Sequence, residues 1–175
     1  MGAGRYDEWA DRAASECGDD PLCWEDFMWS SANHAKSTET ARRIKDAFLH
    51  QILPRLVELS LDSWYEEYGV DLVAWRTFFE KVPEVFRDII AEHVATYLKE
   101  RIEEAIQKAL KDPEARKMYR PYMHKLTSDI IAGYLEGLSQ REIAERAGYA
   151  LHSVWNTTWW TRKYAKVDLW PARGG

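Results

Sequence analysis

Basic side chains gather at two places in the last third of the chain. Arg116, Lys117, Arg120 and Lys125 form one group, and Arg162, Lys163 and Lys166 the other. Ammonium and guanidinium groups at this density can neutralise phosphates, contacts that position a protein on a nucleic acid without reading its sequence. The alternative is a solvated charged face, which is what most charge runs are. The balance of charge sharpens the contrast. Residues 115–175 carry 10 Lys/Arg and 5 Asp/Glu, net +5, whereas residues 1–114 carry 14 and 24, net −10. An acidic front and a basic rear fit a body that meets a protein partner, joined to an end that faces phosphate.

Other chemistry is sparse. Cys17 and Cys23 are the only cysteines, and Gly18 and Pro21 between them allow a turn, so a disulfide joining two short helices is possible. In a reducing cytosol they would remain thiols. Adding His34 gives three irregularly spaced ligand candidates, too few for a closed zinc site, so no metal is expected. There is no Glu-x-x-His pair, no His-Glu-x-x-His helix, no Gly-rich phosphate loop and no Gly-x-Ser-x-Gly elbow. The acidic pairs Glu66-Glu67 and Glu103-Glu104 point to different sides of their helices, and His50 and His93 read as structural. No enzyme activity and no cofactor are expected.

The elements that must position the basic groups are helices. Between the two groups runs L-S-Q-R-E-I-A-E-R-A-G-Y-A-L-H-S-V-W-N-T-T, residues 138–158. Ser139 can cap a helix, and Glu142 three residues later can complete a capping box. Ile143, Ala144 and Ala147 give an apolar stripe at helical spacing. Gly148 supplies the positive φ of a sharp turn. Tyr149 and Val154 can pack a second helix back on the first, and the small Ala144 lets the two cross closely. Residues 128–137 would form a supporting helix.

On these residues, positions 127–164 resemble the helix–turn–helix of resolvases, transposases, sigma-factor region 4 and many phage regulators. The resemblance implies double-stranded DNA as partner and a reading helix over about residues 151–164. Its groove-facing candidates are Ala150, Leu151, His152, Trp155, Asn156 and Trp159. Of these, His152, Trp155, Asn156 and Trp159 are the expected base contacts. Asn156 can pair bidentately with adenine, and His152 can touch a base edge or a phosphate. Arg141, Arg146, Arg162, Lys163 and Lys166 are the expected phosphate contacts. Some residues depart from the pattern. No Arg or Lys lies between Tyr149 and Thr161, Ala150 stands where Ser or Thr is the usual cap, and Thr157 replaces a buried aliphatic.

The rest of the chain also reads as helix. Asp20-Pro21 is a start signal for residues 22–35. Residues 38–61 form a long periodic stretch with Ile44, Phe48, Ile52, Leu56 and Leu59, which Pro54 should kink or split. A short helix over 71–81 precedes the longest, 84–111, whose stripe is Phe86, Ile90, Val94, Leu98, Ile102, Ala105 and Ala109. No segment alternates with period two. The expected fold is therefore all-α: an aromatic N-terminal arm or helical hairpin (1–37), a helical body (38–112) with a possible oligomerisation seam, and a basic helix–turn–helix domain (113–175).

Charged residues make up 30 % of the chain. No apolar run approaches the roughly 20 residues that a membrane span needs. No apolar signal core opens the sequence, so a cytoplasmic or virion location is expected. The expected function is non-enzymatic DNA binding by a regulator or a mobile-element or viral accessory protein, as a homo-oligomer, with a protein partner possible for the acidic body. Two alternatives stay open: a structural nucleoprotein or viral coat protein that packs nucleic acid, and a protein-only helical adaptor.

Overall fold

The computed structural model describes residues 4–172, except for the side chains of residues 4–7. The first three residues of the expected arm and the Gly174-Gly175 tail lie outside the described residues. Most of those described are helical and none is in a strand, so the fold class is all-α. Among the described residues, no helix is long and apolar enough to cross a membrane. The chain divides into two compact units, residues 1–64 and 65–175. The boundary expected at residue 37 thus falls inside the first unit, and the one at 112 inside the second.

The first unit begins as a hairpin of α1 (Gly4–Cys17) and α2 (Pro21–Asn33). Asp20 caps α2 by accepting from the Leu22 backbone N–H at 3.0 Å, and Pro21 needs no N–H in the first turn. Cys17 and Cys23 are joined by a disulfide across this turn, and the Trp24 indole donates to Gly18 O at 2.7 Å. The aromatic residues make a core here. Trp9 and Trp24 meet edge to face at 6.1 Å and both are buried. Residues 4–33 thus form a helical hairpin in which α1 packs on α2.

α3 (Thr38–Ala47) packs against α2 and runs through a π-helical turn, Phe48–Ile52, into α4 (Leu53–Tyr68). Pro54 does not split this helix. The wider turn just before it sends the Leu53 N–H to Phe48 O, five residues back, so the ladder reorganises where the proline has no N–H to give. Helix then continues through Tyr68, beyond the expected end at 61. The predicted stripe holds for Ile44, Phe48 and Leu56, but Leu59 is 57 % exposed and His50 is exposed as well.

The second unit takes the end of α4, then α5 (Leu72–Phe79), α6 (Glu84–Ala109), α7 (Pro113–Met118), α8 (Tyr122–Glu136), α9 (Gln140–Ala147) and α10 (Leu151–Trp160). A second π-helical turn, Thr161–Ala165, extends α10. The long α6 packs along α8. Its buried stripe follows the expected one through Ile102 and again at Ala109, with Ile106 buried in place of Ala105, which is half-buried. Beyond Lys166, which closes α10 at φ 61°, the chain folds back on α8. Leu169 is fully buried, and Trp170 lies edge-on to Tyr134 at 5.1 Å.

Candidate nucleic-acid interface

α8 ends at Gly137, whose φ of 91° lets the Leu138 N–H reach back to Gly133 O at 2.9 Å. Two residues later the capping box closes. Ser139 Oγ accepts from the Glu142 N–H at 3.1 Å, while Glu142 Oε1 accepts from the Ser139 N–H at 3.0 Å. These bonds hold the Glu142 carboxyl below its ordinary value near 4.5, chiefly through the backbone N–H of Ser139. The cap's ionic contribution is therefore present above that ordinary value and is lost as pH falls through the lowered one. Ser139→Ala is expected to destabilise the unit by about 0.5–2 kcal/mol in urea unfolding. Glu142→Gln should flatten the acid limb of stability against pH, and an unchanged limb would place that dependence elsewhere.

α9 turns into α10 at Gly148, φ 77°, with the Tyr149 N–H bonded to Ala144 O at 2.9 Å. Ala150 gives α10 no side-chain cap. α8, α9 and α10 touch pairwise. The close approach is made by Gly133 of α8: a Cβ there would lie 2.3 Å from Ile143 Cγ1. Ile143, Ala144 and Val154 are buried. Thr157, fully buried, spends its hydroxyl on Ser153 O at 2.8 Å, and Thr161 repeats this on Thr157 O at 2.7 Å. Back-bonding of this kind satisfies a hydroxyl where an aliphatic was expected.

The opposite side of α10 carries His152, Trp155, Asn156 and Trp159, spaced by three or four residues and so on one face. His152 is exposed, Trp155 is 51 % and Trp159 43 % exposed, and Asn156 is half-buried. The Trp155 indole donates to Gln140 Oε1 at 3.0 Å, which ties the face to the start of α9. Asn156 Nδ2 is 3.5 Å from Tyr122 OH. Of the other two groove-facing candidates, Ala150 is exposed and Leu151 half-buried.

The five expected phosphate contacts differ in surroundings. Arg141 is exposed on α9. Arg146 forms a two-pronged ion pair with Glu136 of α8, at 2.9 and 2.5 Å, which raises its pKa. Arg162 is bound to Asp168 at 2.8 Å. Lys163 lies over the rings of Trp159 and Tyr164 at 5.0 and 5.4 Å. Lys166 sits in the left-handed corner after α10, its ammonium on Lys163 O at 2.9 Å. Among the described residues, Arg141, Lys163 and Lys166 are thus the three whose charge no carboxylate offsets by a hydrogen bond.

Sequence reasoning singled out Arg120 and Lys125 but missed the aromatic and thioether side chains around them, Met118, Tyr122 and Met123. Tyr122 stacks obliquely on Tyr149 at 5.8 Å, and Lys125 lies over Tyr149 at 5.9 Å. Met118, Arg120, Tyr122 and Met123 join Asn156 and Trp159 around a pocket of about 230 Å³. No periodicity links residues 34 positions apart, so only the fold of α8 against α10 reveals them. Among the described residues no group of His, Cys, Asp or Glu is arranged to hold a metal ion. No family model matches the chain, and no curated protein or solved structure is significantly similar to it.

Proposed function

We propose that this chain is a non-enzymatic DNA-binding protein whose α9 and α10 form a helix–turn–helix docking in the major groove. One observation carries the reading: α10 is packed by Val154, Thr157 and Trp160 so that His152, Trp155 and Trp159 share its outward face, with Asn156 half-buried among them. A helix standing on a capped partner with one polar-aromatic face outward can enter a groove about 12 Å wide. The net positive charge of residues 115–175 supplies sequence-independent attraction. The acidic segment 1–114 is left to dimerise or to meet a protein.

Arg141→Ala and Lys163→Ala are each expected to weaken binding to all duplex sequences and to lower the salt slope by about 1. Arg146→Ala should change neither much, because Glu136 already holds its charge. Anisotropy titrations of one duplex over a salt series measure this. Slopes that stay unchanged in the Arg141 and Lys163 variants would remove both from the interface.

The exposure of Trp155 and Trp159 favours a second reading, in which this face packs on protein. Trp is enriched at protein interfaces, and residues 150–160 hold no Lys or Arg to pair with guanine. That reading predicts no DNA binding even at low salt. A structural nucleoprotein would instead bind any duplex and grow into large particles.

A further inference from the structure

We infer that the pocket between Met118–Met123 and α10 receives a single unstacked base of the bound nucleic acid. This rests on the nucleic-acid reading above and adds what that reading lacks: which state of the base reaches Asn156. The amide of Asn156 is recessed, half-buried with Nδ2 turned toward Tyr122 OH. Its neighbours on the face, Trp155 and Trp159, are longer side chains that stand into solvent. Two indoles beside a short recessed amide hold a paired base edge away from it. A base that leaves the helical stack can pass between them, as happens wherever proteins read a base outside the duplex.

The lining suits such a guest. Trp159 and Tyr122 offer ring faces, and Met118 and Met123 add polarisable thioethers, a surface on which any base can stack. Asn156 then presents both a donor and an acceptor to the exposed edge. At the rim, Arg120 Nη1 donates to Lys117 O at 2.9 Å and to Tyr119 O at 3.1 Å. These bonds fix the guanidinium and leave its other N–H groups for the displaced phosphate. Among the described residues, those that line the pocket carry stacking surfaces, amide and guanidinium groups.

The test compares two duplexes of the same sequence with the full chain, one fully paired and one carrying a single unpaired fluorescent aminopurine. The unpaired probe is expected to bind roughly tenfold tighter, the scale of one base stacked on an aromatic side chain. Its fluorescence should fall on binding as the base stacks on an indole or phenol ring. Tyr122→Ala and Asn156→Ala, checked for helical content, should each shrink the ratio of the two affinities. If the paired duplex binds but the unpaired probe binds no better and keeps its fluorescence, the pocket assignment is wrong and the DNA-binding reading stands. If neither duplex binds, the reading fails and takes the pocket with it.

Discussion

Trp160→Ala is expected to destabilise the C-terminal unit by about 3–5 kcal/mol, the usual cost of emptying a buried indole site. Trp160 is 1 % exposed, and its ring meets Tyr119 at 4.8 Å. Its Nε1–H donates to Ala115 O at 2.9 Å, which ties α10 to the short α7. Truncation removes the ring contacts, opens a cavity and loosens α7 together. Against a typical domain stability of about 5–15 kcal/mol, that is a large fraction. Trp160→Phe separates the two contributions. It keeps most of the volume and loses one hydrogen bond, on the order of 1 kcal/mol. Ala115 O still accepts from the Tyr119 N–H at 3.0 Å, so no carbonyl is orphaned. Urea unfolding of both variants measures the difference; a Trp160→Ala loss below the Trp160→Phe loss would contradict the packing described.

Gly133→Val is expected to destabilise the same unit by about 3 kcal/mol, at the upper end of overpacking costs. The position is helical and ordinary in backbone terms, so glycine is not there for a left-handed φ. It is there because α9 sits on it. Even a Cβ would overlap Ile143 Cγ1 at 2.3 Å and Cδ1 at 2.5 Å, and Ile143 is a β-branched residue buried in the core. Valine adds two methyls to that overlap. α9 would have to lift from α8, which disturbs the angle at which α10 is presented. Gly133→Ser, smaller and polar, should fall between the two. A variant with valine as stable as the native chain would show that α8 and α9 are further apart than the structure has them.

Short-range physics was legible in the sequence. The Ser139–Glu142 box and the turn at Gly148 depend on residues only a few positions apart, and both are present as expected. The outward face of α10 follows from three- and four-residue spacing alone. Long-range packing was not legible. Ala144, expected to let α9 and α10 cross closely, is buried, but nothing in the sequence singled out the tighter contact of α8 on α9, where Gly133 leaves no room for a Cβ against Ile143. Five arginine and lysine side chains looked alike in sequence, yet Glu136 takes Arg146 and Asp168 takes Arg162. Pro54 signalled a break; a π-helical turn absorbs the missing donor and the helix continues. The pocket beside Asn156 depends on Tyr122, 34 residues earlier, and no local pattern announces it.

The most direct measurement is a fluorescence-anisotropy titration of random duplex DNA with the full chain over several salt concentrations, with light scattering alongside. Saturable binding by a small discrete oligomer, weakening steeply as salt rises, is the predicted result. Absence of binding even at low salt would contradict the assignment of the α10 face to nucleic acid.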